Sequence, residues 1–271
     1  MSIVRLGAVG YLNARPLVYG LERCSRFAVR YDIPSECARL LHAHDIDVGL
    51  IPSIEYLRGP RAYWIVPGPA VASRGPVASV ALYTRKDPRD IRSIAMDTSS
   101  RTSVALATVL AQRVFGIAAK PIPMAPDLAA MLARADAALI IGDIALLLEH
   151  ERAGVEKLDL GQLWTAFTGL SFVYAVWTGW PDAVTLTDVE LLQQARDDGV
   201  AHAHDVADAY FPDRPQQQAI ARRYLRDNIH YFLGPDEFAG LERFYRYAAE
   251  LGLVSYDGEL NVYAAEHYGV R

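Results

Sequence analysis

The chain has 271 residues, of which 52% are hydrophobic, and its formal net charge at pH 7 is -5. This length suits one large domain or two lobes of about 100 to 150 residues, and we favour two lobes. Lysine and arginine are scattered rather than clustered, which argues against nucleic acid or an anionic membrane as a partner. The composition therefore favours a small-molecule partner.

The N-terminus shows no charged segment followed by a long apolar stretch, and no later run approaches the ~18 apolar residues of a spanning helix. We therefore expect a cytoplasmic protein. Cys24 and Cys37 are too few for a disulfide framework and lack metal-ligand spacing, which agrees with a reducing compartment. We interpret both cysteines as packing residues.

Short β-branched segments alternate with helical segments through the first 177 residues and predict an α/β fold with mostly parallel sheets. The predicted strands are residues 2–9, 27–33, 45–51, 62–66, 78–84, 93–97, 137–142 and 171–177. From Thr187 onward the pattern predicts helices only. The first begins at the capping box of Thr187 and Glu190, and another begins at Pro235.

The predicted strands 78–84 and 171–177 are each followed by a polar segment and are candidate crossovers between lobes. If the chain leaves lobe one at the first and returns at the second, lobe two spans residues 85–174. Lobe one is then discontinuous, 1–84 and 175–271, and combines α/β units with the C-terminal helices. A ligand cleft is expected between the lobes.

Polar residues follow several predicted strands, where ligands bind in open α/β sheets and helix N-termini also point. They are Asn13, Ser53 and Asp143, with Gly142 directly before Asp143, and Ser79 is expected near the hinge at the start of the strand 78–84. Serine, asparagine and aspartate are also ordinary helix caps, so each residue alone fits either capping or ligand contact.

The turn after the strand at 93–97 carries a stronger signal, because a cap needs one hydroxyl and this turn has several. Its polar side chains are Thr98, Ser99, Ser100, Arg101, Thr102 and Ser103. Free amides at a helix start, hydroxyls and a guanidinium together favour a planar anion. Because no glycine-rich phosphate motif is present, a carboxylate fits better than a phosphate.

Other chemistries have weaker support. The sequence HAHD occurs at 42–45 and 202–205, but on a helix histidines two positions apart point to opposite sides, so we predict no metal site. Neither a nucleophile elbow nor a reactive cysteine context is present, and no strong general base stands at a strand end.

The motifs together resemble the chorismate dehydratases of the futalosine route to menaquinone. The resemblance runs through about 175 residues and is carried by GxxxYLNxxPL from Gly7 to Leu17 and by the segments 47–57, 75–82, 97–106 and 141–146. It implies a two-lobed, type II periplasmic-binding-protein-like fold with two crossover strands and the active site between the lobes. It also implies a hydro-lyase that converts chorismate to 3-(1-carboxyvinyloxy)benzoate and water without metal or organic cofactor.

Our hypothesis for the site combines this chemistry with the strand-end residues. Asn13 and Ser79 orient the enolpyruvyl group and the departing hydroxyl, and the enolpyruvyl carboxylate itself removes the C3 proton. The residues expected to bind substrate are Ser53, Ser100, Arg101, Thr102, Ser103, Gly142 and Asp143, with residues 100–103 holding one carboxylate. Asp143 lines the opposite wall or caps its helix.

Two other functions remain open. A non-catalytic solute-binding or sensor protein of the same fold predicts a leader peptide, a lipid-anchored cysteine or a fused DNA-binding segment, and none is visible in the sequence. Another cleft enzyme would need a metal cluster or a positioned nucleophile, which we do not locate.

Overall fold

The computed structural model describes residues 3–268, with side chains described through residue 266. The strands in this range are β1 Val4–Val9, β2 Phe27–Asp32, β3 Val48–Pro52, β4 Trp64–Ser73, β5 Val80–Thr84, β6 Ser93–Asp97, β7 Lys120–Met124, β8 Ala137–Ile141, β9 Glu156–Asp159, β10 Phe172–Gly179 and β11 His230–Leu233. The α-helices are α1 Pro34–His42, α2 Arg101–Arg113, α3 Leu128–Leu132, α4 Gly142–Leu147, α5 Leu160–Thr168, α6 Leu186–Ala201, α7 Ala203–Tyr210, α8 Pro215–Asp227, α9 Pro235–Glu250 and α10 Ala265–Tyr268.

The strands form two sheets, so the predicted α/β class is confirmed. The first sheet has the order β11-β4-β10-β3-β1-β2 and the second has the order β7-β6-β8-β5-β9. The prediction of mostly parallel pairing is wrong. Strands β5 and β10, the first strands after the chain changes sheets, each run antiparallel to both of their neighbours.

The chain changes sheets at other points than we expected. Strand β5 pairs with β8 and β9 of the second sheet, although residues 80–84 were assigned to lobe one. Strand β10 already belongs to the first sheet at Phe172. The chain therefore passes between the sheets just before β5 and just before β10. The connections that precede these strands cross between the sheets, and the strands themselves do not.

The strands missed by the sequence patterns all lie at sheet edges. The edge strand β7 contains two prolines, and β9 is short and rich in charged residues. Strand β11 has four residues and lies within the segment predicted to be entirely helical. Edge strands tolerate proline and charge because they have one hydrogen-bonding neighbour, and so their sequences lack the usual apolar alternation.

The C-terminal helices cover the first sheet. Helix α6 begins two residues earlier than predicted, because Thr185 and Asp188 form its capping box and Thr187 and Glu190 do not. Helix α9 begins at Pro235 as predicted and packs its apolar side chains against β10 and β11. This packing brings the C-terminal third of the chain against both strand β10 and the end of the second-sheet helix α2.

Both cysteines are free thiols. Cys37 is buried in the first-sheet core, where its thiol lies 3.4 Å from the carbonyl oxygen of Ala8, and Cys24 is half-buried. Within residues 3–268, no helix combines the length and the apolar composition needed to cross a membrane.

Candidate active site

A small cavity of about 40 Å³ lies between the two sheets. Residues that follow β1 and residues of β3, β4 and β10 line it on the first-sheet side, and residues at the starts of β5 and α2 and the end of β8 line it on the other. Its polar lining residues are Tyr11, Asn13, Ser79, Ser100, Ser103 and Tyr174, and the backbone of Gly142 lies at its edge. Five of the residues predicted from the sequence thus meet in one place between the sheets.

Asn13 reaches the cavity from a 3-10 turn, Leu12–Val18, that directly follows β1. The turn is fixed across the cleft, because the backbone N–H of Leu12 donates to Oδ1 of Asp143 over 3.1 Å. The Asn13 side chain is half-buried and faces the second sheet. It presents an amide that cannot titrate.

Ser79 is held by an unusual backbone turn. The preceding residue, Ala78, has a left-handed φ of 63°, which costs a residue with a Cβ about 1 to 2 kcal/mol. The carboxylate of Asp159 offsets this cost by accepting from the backbone N–H groups of Val77 and Ala78 at 3.0 and 2.7 Å. Lys157 donates to the Ala78 carbonyl at 2.6 Å. The turn therefore presents Ser79 in a fixed orientation.

The start of α2 faces the cavity with two serines. Ser100 is the N-cap residue, and its Oγ accepts from the backbone N–H of Ser103 at 3.4 Å and from the Ser103 hydroxyl at 3.1 Å. The N-terminus of a 13-residue helix carries partial positive charge from its unpaired backbone N–H groups. This end of the cavity therefore favours a carboxylate without any cationic side chain.

The structure places Arg101, Thr102 and Ser53, which were expected to bind substrate, outside the lining of this cavity. Successive helical residues are rotated by about 100°, so Arg101 and Thr102 point away from the face that carries Ser100 and Ser103. Arg101 pairs with Glu55 over 2.7 Å, and Thr102 accepts from the backbone N–H of Ile54 over 3.0 Å. The Ser53 hydroxyl donates to the Val173 carbonyl over 2.8 Å. Arg101 and Thr102 thus join the two halves of the molecule, and this Ser53 bond lies within the first-sheet half.

Glu55 is fully buried at the centre of this junction. Burial alone would raise the pKa of its carboxyl, but hydrogen bonds from His42 and Arg58 and the charge of Arg101 outweigh burial and lower the pKa. His42, the first histidine of the first HAHD sequence, thus belongs to an ion-pair cluster. His44 lies beyond the end of α1 in a left-handed conformation, so the assumption that both histidines are helical was wrong there.

Gly142 and Asp143 serve the wall of the cavity in different ways. The Gly142 N–H donates to the carbonyl of Ser79 over 2.8 Å, and a Cβ at this residue would lie 3.0 Å from the ring of Tyr11, which would have to shift. Asp143 accepts from Leu12 and from the Tyr210 hydroxyl, the latter at 2.5 Å, so it braces the wall and is not a lining residue. Burial raises its pKa, although these hydrogen bonds oppose the shift.

The sequence patterns missed two tyrosines of the cavity. Tyr11 stands two residues before Asn13, and Tyr174 lies on β10 with its hydroxyl 3.0 Å from Oγ of Ser73. Burial raises the pKa of both phenols, so both are neutral near pH 7. The motif containing Asn13 was a signal for Tyr11, whereas the strand pattern around Tyr174 indicated only a buried strand.

The cavity is uncharged, and its hydroxyls and one amide stand among mostly apolar lining residues. Among the described residues that line it, none carries a charged side chain. No group of three or more histidine, cysteine, aspartate or glutamate side chains suited to a metal ion occurs in residues 3–268. Hydroxyls, one amide and a helix N-terminus are thus the groups available to bind and orient a ligand.

Two sheets with a cleft between them, joined by two crossing connections, define a protein of the periplasmic-binding-protein fold. A conserved Candida albicans protein, whose structure is described as the generic periplasmic binding protein fold, superposes with a TM-score of 0.67 at 10% identity and covers 95% of this chain and 92% of its own. A protein from Archaeoglobus fulgidus superposes with a TM-score of 0.75 at 16% identity, covering 93% and 98% of the two chains. These similarities show the fold alone.

Sequence similarity identifies the family within this fold. Residues 4–250 match the model of the menaquinone biosynthesis family, and the chain belongs to that family. A chorismate dehydratase from Thermus thermophilus is 30% identical over 266 residues, which cover 92% of this chain and 95% of the relative.

Proposed function

We propose that this protein is a chorismate dehydratase, a hydro-lyase that forms 3-(1-carboxyvinyloxy)benzoate and water in the futalosine route to menaquinone. The observation that carries the proposal is an uncharged cavity that presents several hydroxyls, an amide and a helix N-terminus, in a chain related over nearly its whole length to a dehydratase of that name. A solute-binding protein of the same fold is the alternative.

The reaction needs positioning more than strong acid or base catalysis. Loss of the C3 proton and the C4 hydroxide makes the ring aromatic, so the reaction is strongly downhill. In our proposal the enolpyruvyl carboxylate takes the C3 proton, the C4–O bond breaks, and the departing hydroxide takes up the abstracted proton to leave as water. No base from the protein is required, which is consistent with a cavity that has no charged residue among its described lining.

The residues at the cavity divide this work. Asn13 donates an amide hydrogen bond that aims the enolpyruvyl carboxylate at C3, and Ser79 hydrogen-bonds the departing oxygen. The ring carboxylate lies at the start of α2 against Ser100 and Ser103, where free N–H groups and hydroxyls donate hydrogen bonds to it. The sheets act as the two lobes, and they must separate for substrate to enter, because a 40 Å³ cavity holds about one or two water molecules.

Turnover distinguishes the dehydratase from a binding protein. Purified protein mixed with chorismate in the presence of a metal chelator is expected to form the aromatic ether, followed by absorbance and identified by mass. Saturable chorismate binding without product would instead support the solute-binding alternative and contradict the dehydratase.

Replacing Asn13 by alanine tests the assignment of the site. Because misplacing a reacting group can cost about a hundredfold in rate, we expect Asn13→Ala to lose about that factor in kcat. The matched control is Asn228→Ala, which removes an amide that donates to the Pro76 carbonyl, outside the cavity. Full turnover by Asn13→Ala would contradict the proposed role of the amide.

A further inference from the structure

A tyrosine from the C-terminal helices joins the two residues proposed to act on substrate. Tyr224 lies on α8, and its side chain is 2% exposed. Its phenol oxygen is 2.6 Å from Oγ of Ser79. The side chain of Asn13 lies close enough to lower the pKa of the phenol. One buried hydroxyl therefore contacts the residue that directly precedes β5 of the second sheet and lies beside a residue that follows β1 of the first.

The phenol of Tyr224 is neutral. Burial raises its pKa well above the usual value, and the hydrogen bond with Ser79 and the nearby side chain of Asn13 oppose this shift only in part. A neutral phenol has one O–H to donate and can also accept hydrogen bonds. Tyr224 is consequently no base, and because it is not among the residues that line the cavity, it acts on substrate only through its two partners.

The direction of these hydrogen bonds follows from what the partners do. Ser79 must keep its own proton pointing at the departing oxygen, so its oxygen is free to accept from Tyr224. The Asn13 amide has two N–H groups, one for the substrate carboxylate and one for the phenol oxygen. A chain of hydrogen bonds in a buried site also polarises each member and strengthens the last donor.

We propose that Tyr224 is a positioning residue for the dehydration, donating to Ser79 and accepting from Asn13 so that both face the substrate. This inference rests on the proposed dehydratase function. It gives a part in the chemistry to α8, which lies in the segment whose sequence pattern predicts helices only. Tyr224 itself undergoes no net proton transfer.

The test compares two buried tyrosines that differ in their partners. Tyr224→Phe removes the linking hydroxyl, and we expect kcat to fall about tenfold with KM changed less than about twofold, since ground-state binding does not use the phenol. Tyr231→Phe is the matched control. Tyr231 lies on β11 and is equally buried, and its hydroxyl has no hydrogen-bond partner among the described residues. We expect wild-type kcat from this control.

A second pair of variants separates positioning from packing. If Tyr224 acts through Ser79, then Tyr224→Phe causes little further loss of kcat in a Ser79→Ala background. Equal losses in both backgrounds, a wild-type kcat for Tyr224→Phe, or the same loss for Tyr231→Phe would each overturn the inference. The wild-type assay separates the two proposals: without product from chorismate, the dehydratase proposal fails and this one with it, whereas product with an unaffected Tyr224→Phe overturns only the role of Tyr224.

Discussion

At the scale of single residues, the candidate site shows what local sequence determines. The hydroxyl-rich turn at 97–103 correctly suggested a polar helix start, because the residue types are visible in the sequence. Which of them face the cavity depends on the rotation of α2 against the first sheet, and that is set by tertiary packing. Ser100 and Ser103 consequently line the cavity, while Arg101 turns to Glu55.

Tyr224 illustrates the opposite case. It lies more than 140 residues after Ser79 in the chain, on a helix whose pattern indicates only an amphipathic packing element. Nothing local distinguishes it from the other buried tyrosines. Its partners become apparent only when α8 is placed against the turn at Ser79.

Gly142 offers a prediction at this scale. An added Cβ would lie 3.0 Å from the ring of Tyr11, and the residue has a left-handed φ of 66°. We therefore expect Gly142→Ala to push the Tyr11 ring and to lower kcat/KM by more than about tenfold. Gly116→Ala is the matched control, since Gly116 has φ of 67° and no atom within 4 Å of an added Cβ.

Both glycine variants carry the cost of a left-handed alanine, about 1 to 2 kcal/mol, so both are expected to melt at a lower temperature than the wild type. Steady-state assays and thermal melts on the same preparations separate the two effects. A wild-type kcat/KM for Gly142→Ala would show that contact with Tyr11 does not matter.

Among the helices and strands, strands with continuous apolar sequences were predictable, and edge strands without the usual apolar pattern were not. The strands of both sheet centres are continuous runs of buried apolar residues, and their sequences indicate this directly. The start of α6 was misplaced by two residues because two threonine-containing segments, at 185 and 187, both fit a capping box. The capping box at Thr185 forms because its Asp188 also pairs with Arg26, from a distant part of the chain.

The pair of Asp188 and Arg26 gives a prediction for stability. Burial would raise the pKa of Asp188, but two hydrogen bonds from Arg26 and the contacts with Thr185 lower it to about 2. The carboxylate therefore stabilises the fold at pH values above its ordinary pKa of 3.8, and this stabilisation is lost as the pH falls toward 2.

We expect Asp188→Asn to lower the free energy of unfolding at pH 7 by about 2 kcal/mol or more. The difference from wild type should shrink as the pH is lowered from about 5, which urea unfolding at a series of pH values measures. Asp227→Asn, which breaks an exposed pair with Arg226, serves as the control and should change stability little. A pH-independent difference for Asp188→Asn would contradict the assigned cause.

At the scale of the whole molecule, the sequence predicted a two-lobed cleft protein, while the points of crossing had to come from the structure. Strand β5 reads as a buried strand whichever sheet it joins, because its residues are apolar on both faces. Its partners β8 and β9 lie far along the chain, and local patterns carry no information about such pairing. The boundaries of the lobes are thus a property of strand order.

Closure of the cleft can be tested by a cross-link. The side-chain oxygens of Ser53 and Thr102 lie 3.4 Å apart across the junction of the two halves. In the double variant Ser53→Cys with Thr102→Cys, oxidation is expected to lock the small cavity closed and abolish turnover, and reduction to restore it. Each single cysteine variant under the same oxidant is the control. Undiminished turnover by the oxidised double variant would show that substrate enters without separation of the halves.

The strand order also constrains how the chain folds as it leaves the ribosome. Strand β4 lies between β10 and β11 in the first sheet, yet both of these partners follow the entire second sheet in the sequence. The second sheet is continuous in the chain and has all its strands once Asp159 is made. The half that is synthesised first is therefore completed last. Until β10 and β11 are made, both edges of β4 stay unpaired, which exposes this strand to aggregation during synthesis.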